Sequence, residues 1–384
     1  MRVRIGRDLL ARGLDVVQSI VDKKTTSPIL SCVLLECLND RLTLTATDLS
    51  LALSYDVPLN TLVEPGAAAV PVEGLVSIIG KISAVEVEIC TESGNQISIG
   101  TDDSRFVTAG FPAGEYPRLP EWSGEEVVEL KQSVLKRMLA QTIFAAPLDE
   151  MMYTCCGVQF QISESTITLL ASDGKRLAAS TQQLPCSTGR ELSFFIPSKA
   201  LRKISRNLTE AGELRLHRGR DRVLLDIDGM RIMSRTFDGE IPEYRMILPP
   251  SPGCTAKVNR IELLNALRPV AAVGTPDDHM AKIELARNRI VVSRRSGELR
   301  EELTAEYCGT GLVISLDPRL FIDVLEVLTD ELTEFEVRGD QTPVVVRSQG
   351  YLYIMMPPLI KSRAPWIGVD IWKWPEPRTE PDRD

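Results

Sequence analysis

The chain has 384 residues, 43 % hydrophobic and 25 % charged, which is the make-up of a globular protein with room for two or three cored domains. Its formal net charge of −9 argues against clinging to DNA through bulk positive charge and leaves only a local basic surface for such a role. No apolar run approaches the roughly 18 residues of a membrane span, and MRVRIGRDLL lacks a signal-peptide core, so the expected location is the cytoplasm with no membrane partner.

Taken in order, residues 6–22 read as a helix with Leu9, Leu10, Leu14, Val17 and Val21 on one face. A polar loop, Lys23 to Pro28, leads to strands ILSCVLLECL and RLTLTATD, joined at Asn39-Asp40, and then to LALSYDVPL. A second helix covers 72–82, followed by strands EVEICTE, QISIGT and SRFVTAGF and the Pro-rich connector FPAGEYPRLPEW. The same order returns twice. Helices at 131–146 and 198–208 flank strands GVQFQIS, TITLLASD and LAASTQQLP, and ELRLHRG, RVLLDID and RIMSRTFDG close that block on IPEYRMILPP. Helices at 260–273 and 318–328 flank AKIELAR, NRIVVSRR and LTAEYCG, before EFEVRGD, PVVVRSQ and YLYIMMPPL.

The repeat is sharpest at one turn. Ala46-Thr47-Asp48 matches Ala171-Ser172-Asp173, 125 positions later, and Arg289 to Leu303 is a fainter third copy. The reading is an α+β protein of three tandem repeats, each an antiparallel sheet covered on one face by two helices. The expected domains are 1–123, 124–250 and 251–360, with a Pro- and charge-rich tail at 361–384. That tail holds three of the four tryptophans, Trp366, Trp372 and Trp374, more than a pure linker would carry.

Chemistry is sparse. The eight cysteines form no CxxC pair and read as reduced thiols, and His217 and His279 are the only histidines, so neither metal nor cofactor is expected. No phosphate loop, nucleophile elbow or dinucleotide fingerprint is present. Asp48 and Asp173 have two readings, catalytic carboxylates or caps of their own turns, and their matching repeat positions favour caps. On the helix at 198–208, Lys199, Arg202, Lys203 and Arg206 share one face opposite Leu201, Ile204 and Leu208. The stripe is either a solvated face or a surface for phosphates; its uniform sign in an acidic protein favours the second. Lys131, Lys136, Arg137, Lys23, Lys24 and Lys81 add to it.

Three such domains resemble the bacterial sliding clamp, the beta subunit of DNA polymerase III. SPIL at Ser27 to Leu30, ATDLSLAL, ASDGKRLA (the family's TDGHRLA or SDGHRLA), DGEIPEYRMILP (DGRFPDYRRVLP) and YLYIMMPPL (YVVMPMRL) carry the resemblance in register over residues 1 to about 360. It implies a non-enzymatic processivity factor: a head-to-tail homodimeric ring of six domains, helices inward, around double-stranded DNA. It also implies tethering of the DNA polymerase III alpha subunit, the clamp loader complex, and other DNA polymerases and repair proteins by short peptides. The peptide pocket of the family falls on Cys155, Ser172, Gly174, Lys175, Arg176, Leu177, Pro242, Met246, Ile247, Ile354, Met355, Met356 and Pro357. DNA-facing positions fall on Lys24, Tyr153, Lys199 and Arg206, and the subunit interface near Phe106, Ala272 and Val273.

Lys175 stands where the family has His, Met246 where a basic residue is common, and Glu73 at a position basic in some relatives. The tail also extends beyond the family's usual end. It is read as folding back over the pocket, as a docking motif, or as a loose appendage. Remaining alternatives are a clamp paralogue for repair or resistance, a protein-only scaffold that kept the fold, and an enzyme using Asp48 and Asp173.

Overall fold

Proline and glycine punctuation divides the chain into short strands, and every long apolar stripe is a helix. The computed structural model describes residues 1–21, 25–38, 40–119, 122, 124–147, 157–185, 189–239, 241, 248, 253–273, 279–294, 297 and 299–357. The first repeat is β1 (Arg2–Gly6), α1 (Arg7–Gln18), β2 (Cys32–Leu38), β3 (Arg41–Thr47), β4 (Leu51–Pro58), β5 (Thr61–Glu64), β6 (Gly66–Pro71), α2 (Val72–Lys81), β7 (Glu86–Thr91), β8 (Gln96–Gly100), β9 (Arg105–Ala109) and β10 (Phe111–Pro112). The second is β11 (Glu125–Lys131), α3 (Gln132–Thr142), β12 (Gly157–Ile162), β13 (Thr166–Ser172), β14 (Arg176–Gln183), β15 (Leu192–Pro197), α4 (Ser198–Asn207), β16 (Glu213–Arg218), β17 (Arg222–Ile227) and β18 (Met230–Arg235). The third is β19 (Cys254–Asn259), α5 (Arg260–Val273), β20 (Ala281–Ala286), β21 (Arg289–Arg294), β22 (Arg300–Tyr307), β23 (Leu312–Leu316), α6 (Pro318–Val327), β24 (Leu332–Val337), β25 (Val344–Ser348) and β26 (Tyr351–Met355).

Among the described residues the six α-helices lie where the apolar spacing puts them, although α1 stops at Gln18 rather than at 22. Each expected helix-to-strand order is present but incomplete. Every repeat opens with a strand the pattern concealed: β1, β11 and β19. Another precedes each second helix: β6, β15 and β23. The reason is local. β1 alternates only twice, at Val3 and Ile5, before its buried face runs into the stripe of α1 with no turn between them. Pro71 and Pro197 end β6 and β15 and directly precede α2 and α4, so no loop residues mark the change.

Two compact units result. One comprises Met1–Arg137, Leu184–Arg190 and Phe195–Asp238; the other comprises Met138–Gln183, Glu191–Phe194 and Gly239–Asp384. The second repeat is thus shared between them, because compactness follows the sheets rather than the repeats. In the first unit a nine-stranded sheet runs β10-β6-β2-β3-β4-β18-β17-β16-β11, beside a five-stranded sheet, β5-β1-β7-β8-β9. In the second a twelve-stranded sheet runs β15-β12-β13-β14-β26-β25-β24-β19-β22-β21-β20-β23. The joins between repeats are antiparallel pairs with equivalent registers. Leu53 faces Ile232 across β4 and β18, and Ala178 faces Tyr353 across β14 and β26. All four side chains are fully buried. The Pro-rich connector is anchored by Tyr116, which is buried with Cys32, Leu34 and Ala69 and donates to the Cys32 carbonyl at 3.3 Å. Among the described residues no helix is long and apolar enough to cross a membrane.

The repeated turn is built by the same hydrogen bonds in both copies. Asp48 Oδ1 accepts from the N–H groups of Ser50 (3.1 Å) and Leu51 (2.8 Å), and Asp173 Oδ1 from those of Lys175 (3.0 Å) and Arg176 (3.1 Å). Thr47 and Ser172 close the same loop by donating to the carbonyls of Leu51 and Arg176. Both aspartates are therefore turn caps. The residue after each must turn left-handed: Gly174 has φ 86°, and the third repeat has Gly297 at φ 86°. The first repeat places Leu49 there at φ 73°, with its side chain 59 % exposed. Leu49→Gly is expected to stabilise the protein by about 0.5–1 kcal/mol, because relief of left-handed strain exceeds the entropy cost of glycine. Thermal unfolding should show a Tm higher by about 1–3 °C, and Gly174→Leu should shift it the other way.

Candidate functional site

Helix α4 follows Pro197 without a loop and packs Ala200, Leu201 and Ile204 inward, with Leu208 just beyond its end. That burial fixes the rotation of the helix and turns Lys199 and Arg206 outward, with Arg202 half-buried between them. Burial, reinforced by the like charge of Arg206, lowers the Arg202 guanidinium from its ordinary value, as happens where cations crowd one face. Lys136 and Arg137 lie on α3, where Lys136 Nζ pairs with Glu210 at 2.6 Å, and Lys81 is exposed in the last turn of α2. Lys23, Lys24 and Tyr153 lie outside the described residues.

Lys203, expected on the same stripe, has a different task. Its Nζ donates to the Ile20 carbonyl at 2.7 Å and to Asp48 Oδ2 at 2.9 Å, in a pair whose side chains are 14 % and 10 % exposed. It ties α4 to the turn between β3 and β4. Asn207 adds a bond to Ser19 Oγ at 3.0 Å. Burial pushes the Asp48 carboxyl up. Hydrogen bonds from Lys203, Ser50 and the Leu51 N–H, with the Lys203 charge, outweigh this and hold it below its ordinary value.

The second unit contains the matching turn and an apolar surface. Leu170, Leu177, Ala179 and Ile354 form a buried cluster, with Ile241, Leu248, Leu352 and Met356 half-exposed around it. Register brings these together: Leu177 faces Ile354 across β14 and β26, and the Met356 N–H donates to the Lys175 carbonyl at 2.8 Å. Of the expected pocket residues, Leu177, Ile354 and Met356 belong to this cluster, Ser172 faces Leu177 across β13 and β14, and Gly174, Lys175 and Pro357 lie beside it in the chain. The two-residue period of a strand sends Arg176 and Met355 to the opposite face. Met355 is 1 % exposed. Arg176 is enclosed: Nε bonds Asp173 at 2.9 Å, Nη1 bonds Asp323 of α6, Nη2 bonds the Phe144 carbonyl at 2.7 Å, and the guanidinium lies over the Phe144 ring. Burial disfavours its charge, but Tyr353, Asp323 and Asp173 together raise it above the ordinary arginine value. Cys155, Pro242, Met246 and Ile247 lie outside the described residues. Sequence reading missed Leu170, Ala179, Ile241, Leu248 and Leu352. Leu170 and Leu352 were accessible through alternation along β13 and β26, once the facing strand is known.

At the edge of the five-stranded sheet, β9 presents Phe106 (40 % exposed) and Val107 (50 %). Ala272 and Val273 are exposed at the end of α5.

A family model described as the DNA polymerase III beta subunit, N-terminal domain, matches residues 1–120, and one for the central domain matches residues 129–243. The chain is 26 % identical over 361 residues to a beta sliding clamp of Chlamydia pneumoniae, covering 93 % of this chain and 98 % of that one. It is 27 % identical over 366 residues to a beta sliding clamp of Salmonella typhimurium, covering 93 % and 99 %. Among solved structures, the sliding clamp of Pseudomonas aeruginosa bound to griselimycin aligns with a TM-score of 0.88 at 26 % identity, covering 94 % of this chain and all of that one. The beta subunit of DNA polymerase III from Thermotoga maritima aligns at 0.84 and 26 % identity, covering 94 % and 99 %.

The Asp48–Lys203 pair makes stability depend on pH. A carboxyl held below its unfolded value near 3.8 contributes stability above that value, and the contribution fades as pH falls through the lower folded value. Asp48→Asn leaves Lys203 without its counter-charge and is expected to cost about 2–4 kcal/mol at pH 7. In urea unfolding, its deficit relative to the parent chain should narrow below pH 4.

Proposed function

The chain belongs to the DNA polymerase III beta-subunit family, and from that we propose how this sequence does the family's work: a sliding clamp that gives a DNA polymerase its processivity. It works without catalysis, by holding duplex DNA in a closed ring and tethering proteins to it.

The observation that carries ring closure is one position seen three times. Phe106, Ile232 and Tyr353 are equivalent: they face Ile99, Leu225 and Val346 on the preceding strand. Ile232 and Tyr353 are fully buried because β4 and β14 lie beside them, whereas Phe106 is 40 % exposed. Among the described residues β9 pairs with β8 alone. In the third repeat β22 takes the place of β4 and β14, and its residues 300–304 pair only with β21. The two open edges therefore fit one another between copies: β22 of one protomer against β9 of its partner. Glu301 and Glu302 lie on one edge and Arg105 on the other, with Glu302 paired to Arg289 and Arg105 to Glu92 within the chain. Two copies joined in this way place six repeats in a head-to-tail ring, with Ala272 and Val273 at the same junction.

In this reading Lys199, Arg202 and Arg206, with Lys81, Lys136, Arg137, Lys23, Lys24 and Tyr153, contact phosphates. Such contacts hold the duplex without reading sequence and allow sliding. Lys203 serves the first junction within the chain. The apolar surface around Leu177, Ile354 and Met356 takes short linear peptides of the DNA polymerase III alpha subunit, the clamp loader and other DNA polymerases and repair proteins, with Lys175 at its lip. The protein acts where the DNA is, in the cytoplasm.

Two experiments test this. Loaded on nicked circular DNA, the protein should stay bound in high salt and leave when the circle is linearised; equal retention on linear DNA would sink the ring. The triple variant Lys199→Ala, Arg202→Ala, Arg206→Ala should shorten retention, and its binding should depend on log salt less steeply by up to about 2.7, at about 0.9 for each lost phosphate contact. Separately, sedimentation of the parent should give twice the 42.5 kDa chain mass, and Phe106→Asp should give the single-chain mass with unchanged far-UV circular dichroism.

A further inference from the structure

Residues 361–384 read KSRAPWIGVDIWKWPEPRTEPDRD and lie outside the described residues. Between Pro365 and Pro375 stands WIGVDIWKW, a segment whose composition contradicts that of a solvated linker. Pro365 and Pro375 bound the segment. Extended, Ile367, Val369 and Ile371 share one face, with Trp366, Trp372 and Trp374 on the other. A segment with six large apolar side chains in nine positions needs a surface to cover it.

The described structure supplies such a surface at the point where this segment is tethered. The chain leaves β26 through Met356 and Pro357, and Met356 is itself part of the half-exposed rim with Ile241, Leu248 and Leu352. The nine residues from Pro357 to Trp366 span up to about 30 Å when extended, enough to return the segment to the surface it left. Asp370 lies at the middle of the segment, and Lys175 stands exposed on the turn whose carbonyl holds the Met356 N–H.

We propose that residues Trp366 to Trp374 are a built-in ligand for the apolar surface around Leu177, Ile354 and Met356 of the same chain, so that partner peptides must displace them. The proposal rests on the peptide-site reading above. Its consequence is quantitative: a ligand on a short tether experiences an effective concentration of about 1 mM, so a segment that binds in trans at about 100 µM weakens every competitor about ten-fold. The clamp would then favour partners whose peptides bind strongly enough to expel the tail.

The test uses a fluorescein-labelled peptide of residues 361–384 and fluorescence anisotropy. It should bind a chain ending at Ile360 and bind the full chain about ten-fold more weakly. Met356→Glu in the shortened chain should abolish binding while leaving the dimer mass unchanged. Trp372→Ala with Trp374→Ala in the full chain should raise capture of the alpha subunit as much as removal of the tail does. No binding to the shortened chain, equal binding to both chains, or indifference to Met356→Glu would overturn the assignment. Capture of the alpha subunit by the shortened chain separates the two readings. If the alpha subunit binds in a Met356-dependent way and the tail peptide does not, the tail assignment alone falls. If neither binds, the peptide site falls with it.

Discussion

A strand at the edge of a sheet exposes a row of N–H and C=O groups that only water or another strand can satisfy, and an apolar edge residue makes water a poor choice. This chain meets that constraint twice internally, by pairing the last strand of one repeat with the fourth strand of the repeat before it. The register is preserved: Ile232 against Leu53 and Tyr353 against Ala178 occupy equivalent places. A repeat that solves its edge by borrowing from a neighbour always leaves one edge open at each end of the series. In the ring proposed above, closure would pair the open edge of β9 with residues 300–304 of β22 in a partner copy, so that oligomerisation would follow from how each repeat folds.

The polar interactions at the two internal junctions obey the same geometry with different charges. Lys203 and Asp323 stand at matching positions along α4 and α6. At the first junction the helix brings a cation to the turn, and Lys203 pairs with Asp48. At the second it brings an anion, and Arg176 is inserted between Asp173 and Asp323. Each arrangement compensates charges that are largely removed from water, and breaking either would leave one unpaired. Because neither can substitute for the other, these pairs also distinguish the first junction from the second in a chain of similar repeats.

The acidic net charge and a basic helix face are compatible because a closed ring does not need strong affinity to stay on DNA. Phosphate contacts that were numerous and tight would stall movement along the duplex. The structure leaves Lys199 and Arg206 outward and takes Lys203 inward, so the face is more sparsely charged than its sequence implies. The surface proposed above for peptides follows the opposite rule: a compact apolar patch with Lys175 at its lip suits a short ligand whose affinity comes from burial.

Six helices, the order of most strands, the triplication and the identity of the turn-capping aspartates were determined by the sequence by itself. These depend on local periodicity and on side chains bonding their own backbone within a few residues, as Asp48 and Asp173 do. Tertiary structure decided the rest. It joined β4 to β18 and β14 to β26, pairings between segments far apart in the chain that no local pattern encodes. It divided four helix cations into two that face outward, one that is half-buried and one that is internal, because Lys203 needs Asp48 and the Ile20 carbonyl beside it. It separated Leu177 from Arg176, neighbours in sequence that lie on opposite faces of one strand, since which face is apolar surface and which is core depends on what packs behind it.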